Sequence, residues 1–405
     1  MKEEGNIIGG ALLIAGSCIG AGMLGLPILT GLCGFGPSLL MFFLSWAFMT
    51  LTGLLLVEVN GWFPRQVNLI SMTETSLGKW GKNACWVFYL FLFYALLVAY
   101  ISACGTLFST LMKQHFHITV ADWVGSLVFV LLFGWIVYRG TRPVDLWNRV
   151  LMLGKIASFL ALVFLGVRYV SPKLLERSAP QYAVFSLPIL VISFGFHNMI
   201  PSLMGYMKGN VARTRRSIWL GSLFALGVYL IWQLLVLGIV PLEGPSGIAQ
   251  SLKKGEEASQ AISGILGSSF VSYFATLLAF FAILTSFLAQ ALSLTHFWAD
   301  GLKLSYKKQE SLSLCMLTLF PPLFLAICFP QIFFKALNFA GGICAVILFG
   351  ILPVLMVWKG RRAGGEHYIV RGGKPLLAAI FLFALFVAFF QISQMVGAPY
   401  LPSAP

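Results

Sequence analysis

Two ionisable side chains lie within long apolar segments of the sequence, where either could take up or release a proton. Lys155 lies in the run at about 150–170, and His197 lies in the run at about 183–207. Desolvation penalises the charged form of a buried ammonium group, so Lys155 could release its proton there; alternatively, its long side chain extends to the polar boundary of the apolar layer. His197 could titrate near neutral pH or donate to a phenol oxygen, and a hydrogen-bonded structural role is equally open.

Other reactive constellations are missing from the sequence. Glu58 and Asp122 stand only at the ends of apolar runs, so a carboxylate proton relay is excluded. The five histidines are dispersed without an HExxH-like motif, which argues against a metal-dependent or hydrolytic enzyme. No filter motif or ring of charges indicates a channel. The seven cysteines form no CxxC pair and fit buried packing. We therefore predict no metal, no cofactor and no enzymatic activity.

Two of the apolar runs are interrupted by glycine and proline. The first interruption, residues 15–27, reads AGSCIGAGMLGLP; the second comprises Pro188 and residues 193–201, which read SFGFHNMIP. Glycine and proline weaken the helical hydrogen-bond ladder, and freed backbone groups in an apolar layer are tolerated only where they line a cavity. For the first segment alone, close helix packing of small residues is the alternative. Its GxGxxG pattern lacks the strand of a dinucleotide-binding fold, so we reject a nucleotide site.

The composition places these runs in a membrane. Of 405 residues, 59% are hydrophobic and only 10% are charged, which is too few charges to cover soluble domains. We count eleven runs of the length that a transmembrane helix needs, and none has the alternation of barrel strands. The runs lie near 7–33, 35–57, 85–112, 122–138, 150–170, 183–207, 217–240, 268–295, 312–329, 332–358 and 375–396.

The interruptions fall in the first and sixth runs, so ten runs divide as five plus five with a break opening each half. We predict one transmembrane domain over 1–405, with repeats at about 7–170 and 183–358 and an extra helix at about 375–396. Interrupted segments at corresponding places in two halves are typical of transporter binding sites. A half-helix start offers N–H groups to an anion and a half-helix end offers carbonyls to a cation, and an amino-acid zwitterion needs both.

The distribution of basic residues sets the orientation. An odd number of spans puts the termini on opposite sides, and a cytoplasmic N-terminus places most basic residues inside, among them Lys208, Arg213, Arg215 and Arg216. The first run is too long for a signal peptide, and we interpret it as an uncleaved span. The net charge of +14 is then a topology signal with contact to anionic lipid headgroups. It gives no reason to expect a nucleic-acid partner.

Several sequence blocks, spread over nearly the whole chain, carry a family resemblance. They are 14–17 (IAGS), 19–24 (IGAGML), 94–96 (YAL), 99–102 (AYIS), 144–149 (VDLWNR), 193–197 (SFGFH), 201–202 (PS), 206–207 (YM), 285–288 (TSFL), 320–323 (FPPL) and 371–375 (RGGKP). The SFGFH block with its downstream proline is fairly specific, whereas GAGML is shared more widely. With these blocks the chain resembles the hydroxy/aromatic amino acid permease family of the amino acid–polyamine–organocation superfamily, most of all its tyrosine-specific permeases.

The resemblance implies an all-α polytopic membrane protein of eleven transmembrane helices. These would form the five-plus-five inverted repeat of the LeuT-like fold, with helices 1 and 6 broken and one extra C-terminal helix. It also implies proton-coupled import of an aromatic amino acid, tyrosine first, across the cytoplasmic membrane of a bacterium. A tryptophan or broadly aromatic permease and a sodium-coupled symporter are the alternatives. A serine or threonine permease agrees less well with the aromatic residues at the second break.

The same resemblance implies where a substrate binds. By analogy with the fold, the substrate carboxylate meets the backbone near Gly20, Ala21 and Gly22, and the ammonium group meets carbonyls near Ser193 and Phe194. Small residues suit such backbone roles because they let a ligand approach closely.

Aromatic and polar side chains around the second break complete the implied site. Phe194 and Phe196 could line the part of the site that holds an aromatic substrate side chain. Alternatively, they could face the protein core or the lipid, as most of the 36 phenylalanines do. His197 belongs to the same block. Tyr94 and Tyr100 are six residues apart and face different sides of one helix, and we favour Tyr100 as the site residue.

A coupling ion is implied by matches on two other spans. In some proton-coupled members of the superfamily a lysine of the fifth span replaces a sodium ion, and Lys155 is the corresponding lysine here. Thr285 and Ser286 match the hydroxyl pair that binds sodium in sodium-coupled relatives. We therefore predict a coupling proton in preference to sodium.

The chain departs from the family at two places on the eighth run. Members carry a small residue followed by valine where this chain has Ala289 and Gln290, and they tend to carry an aspartate where it has His296. Gln290 is a polar residue in the middle of a helix that would face the substrate, so it joins the predicted substrate site.

Overall fold

Helices account for nearly all of the computed structural model of this chain. The structure describes residues 5–63, 67–267, 269–302, 312–329, 331–361 and 369–397. Within these ranges, β-pairing is limited to one isolated bridge between Gly34 and Ser178. The all-α architecture predicted from the apolar runs is confirmed for the part of the chain that the structure describes.

The α-helices are numbered in chain order. They are α1 Ile7–Cys18, α2 Gly22–Thr30, α3 Phe35–Asn60, α4 Leu69–Leu77, α5 Lys79–Phe116, α6 Asp122–Tyr138, α7 Thr141–Gly166, α8 Pro172–Leu175, α9 Leu187–Ser193, α10 Ile200–Tyr206, α11 Val211–Ile239, α12 Ile248–Lys254, α13 Ala258–Leu266, α14 Phe270–Gly301, α15 Leu312–Cys328, α16 Phe333–Phe339, α17 Leu352–Gly360 and α18 Gly373–Gly397. A π-helical stretch, Ala340–Ile351, joins α16 to α17, so that the three form one continuous helix.

Several of these helices, alone or joined end to end, are long and apolar enough to cross a membrane. Across the described ranges eight pass this test, and the bent pair α1 and α2 makes a ninth. Two shorter apolar helices, α6 and α15, coincide with the two remaining apolar runs of the sequence. Each of the eleven runs thus corresponds to a helix or a helix pair, while eleven membrane crossings stay a prediction.

The first span is bent by 60° between α1 and α2, at the glycine-rich segment identified in the sequence. Inside α2, Pro27 cannot donate to the carbonyl four residues earlier, which is that of Met23. The indole of Trp232 on α11 supplies the missing donor, with 2.9 Å between its Nε1 and the Met23 carbonyl oxygen. A neighbouring helix therefore repairs the backbone defect that the proline creates.

The sixth span is broken as well, because α9 and α10 are separated by residues 194–199. Pro188 and Pro201 each lie in the first turn of their half-helix, where the missing N–H would have had no helical acceptor. The prolines therefore start the two half-helices. The SFGFH segment begins at the last residue of α9 and continues into the gap between them.

The start of α7 differs from the sequence prediction. The helix begins at Thr141 instead of near 150, because the polar segment before the apolar run is also helical. Its i,i+4 ion pair between Asp145 and Arg149 (2.8 Å) supports that extra length. Lys155 consequently lies about 20 Å along the helix from Thr141, at 1.5 Å per residue, and not within its first turns.

The polar segment 241–267 also contains more structure than the sequence indicates, since it forms α12 and α13. A capping box starts α13: the buried Glu257 carboxylate accepts from the Ser259 N–H (2.7 Å) and hydroxyl, and Gln260 accepts from the Glu257 N–H (3.1 Å). Burial raises the pKa of the Glu257 carboxyl to about 7. The capped helix packs against α2 and α14.

The segment after α8 holds the end of α2. The Arg177 guanidinium donates to the carbonyls of Gly31 and Leu32, both at 2.7 Å, and so caps carbonyls that the ending helix leaves free. Gly34 follows with φ +85, and a Cβ there would lie 2.1 Å from the Arg177 carbonyl oxygen. Only glycine fits this close approach.

At the opposite end, a buried ion pair joins α3 to the chain after α17. Arg361 binds both carboxylate oxygens of Glu58 at 2.7 Å, and the Val370 N–H donates to the same carboxylate at 2.7 Å. The Glu58 side chain is 0% exposed and that of Arg361 is 20% exposed. This bidentate pair ties the end of α3 to the segment that leads into α18.

We expect Arg361→Ala to lower the free energy of unfolding by about 3 kcal/mol, because it leaves a buried carboxylate without its cation. Arg149→Ala is the matched control: it breaks an ion pair whose side chains are 76% and 58% exposed, and it should cost less than about 1 kcal/mol. Chemical denaturation of the purified variants in detergent measures both. Equal losses in the two variants would contradict this account of the Glu58 pair.

Candidate functional site

The two helix breaks lie side by side in the centre of the structure. The Ser17 hydroxyl at the end of α1 lies 3.4 Å from the Gly195 carbonyl oxygen. A Cβ on Gly22 would lie 3.0 Å from Ser193 Oγ, so α2 starts directly against the end of α9. Residues that the sequence places far apart are thus brought together as the family resemblance implies.

Tyr229 on α11 bridges the ends of both half-helices. Its hydroxyl oxygen lies 2.6 Å from the Cys18 carbonyl oxygen of α1 and 2.7 Å from the Ser193 carbonyl oxygen of α9. The side chain is fully buried. The Tyr229 hydroxyl therefore lies against a carbonyl of each break and can donate its single hydrogen to one of them at a time. The Cys18 carbonyl also accepts from the Gly20 N–H (2.8 Å).

Ser286 on α14 reaches the first break from another side. Its Oγ accepts a hydrogen bond from the Ala21 N–H (2.9 Å), and a Cβ on Gly20 would lie 2.6 Å from that oxygen. The Tyr100 phenol of α5 approaches the same serine. The Thr285 hydroxyl instead bonds to carbonyls of its own helix, those of Phe281 and Ala282. Of the predicted hydroxyl pair, only Ser286 contacts the break.

Lys155 on α7 also points into the first break. Its Nζ donates to the Ile19 carbonyl oxygen at 2.7 Å, and the residue is only 3% exposed. The side chain therefore does not extend to the membrane surface, which excludes one of the two interpretations of this lysine. An ammonium group occupies the position where a free carbonyl of a half-helix end would bind a cation.

Two groups at the junction of the breaks keep unused hydrogen-bonding capacity. Ser193 Oγ is buried without a partner, and the Gly22 N–H donates to no acceptor in the described chain. Both belong to the predicted substrate site, at the end of α9 and the start of α2. A carboxylate and an ammonium group are the ligands that such a pair of helix ends accommodates.

The two phenylalanines of the SFGFH segment are fully buried and already packed. The Phe194 ring meets the Tyr229 ring edge-on, with centroids 5.1 Å apart. Phe196 fills the space beside Gly53 of α3, where a Cβ would lie 2.7 Å from its ring. Phe194 therefore lies beside the bridging tyrosine, and Phe196 lies on the α3 side of the break.

The His197 side chain is fixed by ring stacking and by a hydrogen bond to a neighbouring helix, which is typical of a structural residue. Its ring stacks between Phe196 and Phe349, with centroids 4.9 and 4.7 Å away, and its Nε2 lies 2.8 Å from Thr52 Oγ1. Nδ1 is buried and has no partner. Since the Thr52 hydroxyl also donates to the Met49 carbonyl (3.1 Å), the Nε2–H tautomer satisfies every donor. This histidine secures the second break against α3 and the π-helical stretch.

Gln290 and the two tyrosines of α5 occupy different surroundings. Gln290 lies one turn after Ser286 on the same face of α14, is half-buried, and makes no side-chain hydrogen bond within the described ranges. The Tyr94 hydroxyl donates to the Leu317 carbonyl of α15 (2.8 Å), away from the breaks. Tyr100 is the member of the pair that lies toward Ser286, and its role in the site stays a prediction.

Sequence reasoning missed the contribution of α11. Tyr229, Trp232 and Gln233 share one buried face and bond to the broken first span and its neighbours; Gln233 accepts from Thr30 (2.8 Å) and donates to Ser38 (3.1 Å). The available signal was three polar-tipped residues at i, i+3 and i+4 in the middle of an apolar span. Among the described residues, no group of three or more His, Cys, Asp or Glu is placed to hold a metal ion.

Replacement of Tyr229 by phenylalanine should loosen both breaks, because the Ser193 carbonyl loses this donor and the Cys18 carbonyl keeps only the Gly20 N–H. We expect a loss of about 1–3 kcal/mol in stability, with faster hydrogen–deuterium exchange in peptides that cover 18–24 and 193–199. Tyr273→Phe is the control, since that tyrosine is 57% exposed. Unchanged exchange at both breaks in Tyr229→Phe would refute the bridging role.

Comparison with known proteins gives a consistent result. The model of the tryptophan/tyrosine permease family matches residues 3–391. Tyrosine-specific transport system 1 of Haemophilus influenzae is 34% identical, and a tryptophan-specific transport protein of the same organism is 31% identical; each alignment covers 98% of both chains. The crystal structure of MhsT in complex with L-phenylalanine shares the fold, with a TM-score of 0.68 at 13% identity over 97% of this chain and 99% of that one. These relatives are transporters and not enzymes, and this chain, a multi-pass membrane protein, belongs to the tryptophan/tyrosine permease family.

Proposed function

We propose that this protein imports tyrosine across the bacterial cytoplasmic membrane by proton symport and alternating access. The observation that carries the proposal is the junction of two broken helices, with a buried ammonium group at the Ile19 carbonyl. It offers backbone donors, backbone acceptors and a titratable group in one apolar enclosure. Family membership restricts the substrate to the class that its members carry.

The amino-acid backbone of the substrate would bind between the half-helices. The free N–H of Gly22 and the positive end of α2 suit the carboxylate, together with the backbone of Gly20 and Ala21. The negative end of α9, with Ser193 and Phe194, suits the ammonium group. The buried Ser193 hydroxyl supports this arrangement, because it has no partner within the chain.

The aromatic side chain of the substrate would extend toward α5 and α14. Tyr100 and Gln290 are our candidates for this part of the site, and the amide of Gln290 would bind the phenol hydroxyl. A site built to hydrogen-bond a substrate hydroxyl discriminates against the analogue that lacks it. Gln290 is thus our candidate for the residue that distinguishes tyrosine from phenylalanine.

Lys155 would carry the coupling proton. The protonated side chain donates to the Ile19 carbonyl at the end of α1, and loss of the proton would weaken this hydrogen bond because the donor loses its charge. Ser286 would join this site from α14, since it already holds the Ala21 N–H. Thr285 would take part only after a change of rotamer, because its hydroxyl is bonded within its own helix.

The topology belongs to the same proposal. Eleven spans would place the N-terminus in the cytoplasm and the C-terminus outside, with inverted repeats at 7–170 and 183–358 and an extra helix that corresponds to α18. The excess of basic residues on the proposed inner side supports this orientation.

Uptake of labelled tyrosine into proteoliposomes tests the function. An acidic exterior of one pH unit should support about tenfold accumulation at one proton per substrate, whereas a sodium gradient alone should support none. Unlabelled tyrosine should compete better than tryptophan, phenylalanine or serine. Accumulation driven only by sodium would establish a sodium symporter instead, and stronger competition by tryptophan would assign the chain to the tryptophan-specific type, to which a relative at 31% identity belongs.

Lys155→Ala isolates the coupling step. We expect it to abolish pH-driven accumulation, because no group is left to bind the proton at the first break. Counterflow exchange of tyrosine at equal pH should persist, and it serves as the control for folding and substrate binding. Full pH-driven accumulation by the variant would refute the coupling role of Lys155.

A further inference from the structure

A large cavity lies away from the helix breaks, behind α2. Its volume is about 770 Å³, and its walls come from α2, α12, α16 and α18 and from the chain before α16. Tyr100, Lys155, Ser193 and Ser286 do not line it. It is therefore separate from the candidate substrate site, although α2 forms a wall of both.

The polar part of this cavity is cationic. Lys253 of α12 and Lys335 of α16 both line it, and neither forms an ion pair with any described residue. The lining contains no acidic side chain, and the nearby Glu256 pairs with Lys254 instead (3.8 Å). Two ammonium groups at one cavity without a counter-charge favour an anionic ligand.

A buried amide in the cavity wall lacks partners. Asn338 of α16 is 5% exposed, and its Oδ1 is buried without a hydrogen bond. Its amide nitrogen makes no hydrogen bond within the described ranges either. Burial of an unpaired amide is unfavourable, so a polar ligand with donors and acceptors would relieve it.

Apart from three glutamines, Gln331, Gln391 and Gln394, the rest of the lining is apolar and continues onto the exposed apolar surface. Leu29 of α2, Leu32 just after that helix and Phe390 of α18 form part of the wall, and Phe329, which is 57% exposed, stands at its rim. The outward side of α18 carries Phe389, which is 73% exposed. An acyl chain could therefore extend from the cavity into the bilayer along these phenylalanines.

We propose that this cavity binds an anionic phospholipid of the leaflet at the outer end of α18. Lys253 and Lys335 would hold the phosphate, and the Asn338 amide would bond to phosphate and headgroup oxygens. The glycerol headgroup of phosphatidylglycerol supplies the hydroxyl donors that Oδ1 needs. The acyl chains would lie along Phe329 and Phe390. Since Leu29 belongs to the half-helix α2 and Leu32 follows its end, the bound lipid would stabilise one position of that helix.

Native mass spectrometry of the full-length protein in detergent tests this site independently of transport. Delipidated protein is titrated with phosphatidylglycerol and, separately, with phosphatidylcholine of the same acyl chains. We expect one tightly bound phosphatidylglycerol, which phosphatidylcholine fails to displace. The double variant Lys253→Gln/Lys335→Gln should weaken that binding at least about tenfold, given the contribution of each lysine to binding anionic lipid.

The matched control is Lys113→Gln/Lys173→Gln, which removes two exposed lysines on the same proposed side but outside the cavity. We expect its affinity for phosphatidylglycerol to stay within twofold of the unmodified protein. Equal weakening in both double variants, or equal binding of the two lipids, would overturn the proposal. Displacement of the bound lipid by free tyrosine would also overturn it, since the cavity would then be an amino-acid site.

Asn338→Leu gives a second readout that does not depend on charge. If the amide serves the lipid, the variant should bind phosphatidylglycerol more weakly while the delipidated protein keeps or gains thermal stability. Unchanged lipid binding with lower stability would mean that Asn338 is structural and would remove it from the site.

Discussion

A helix that is interrupted inside an apolar interior leaves backbone N–H and C=O groups that no water can satisfy. The architecture of this protein follows from meeting that requirement at two places at once. Side chains from three intact helices, α7, α11 and α14, supply the partners: Lys155 and Tyr229 bind carbonyls at the end of α1, and Ser286 accepts an N–H at the start of α2. The breaks persist because surrounding helices complete their hydrogen bonds.

The same requirement explains why the site can be both polar and enclosed. Groups with partners in the chain fix the geometry of the half-helices, whereas the few without partners, such as the Gly22 N–H and Ser193 Oγ, are available to a ligand. His197 belongs to the first kind, since its stacking and its bond to Thr52 fasten the second break to α3. The division separates residues that shape the site from residues that would contact the substrate.

Much of this arrangement can be predicted from sequence because it depends on local signals. Apolar runs predict the helices, and glycine and proline predict the breaks. A lone lysine in the middle of a span also indicates a functional position, because burial of a charged group is unfavourable. The partners on α11 could not be predicted, because Tyr229 and Trp232 resemble ordinary aromatic residues until tertiary structure places them at free carbonyls. Polar sequence likewise concealed the first turns of α7 and the helices α12 and α13, whose stability comes from ion pairs and caps instead of apolar runs.

The phenol of Tyr229 has one hydrogen and faces two carbonyls. At any instant one carbonyl accepts the hydrogen bond, and the other carbonyl oxygen faces only a lone pair of the phenol oxygen. The carbonyls of the two breaks therefore compete for a single donor. A stronger hydrogen bond from Tyr229 to one carbonyl weakens its interaction with the other. Separation of α1 from α9 then need not break this hydrogen bond, because the tyrosine can stay bonded to whichever half-helix remains beside it. A shared donor of this kind links the two breaks without fixing them rigidly to each other.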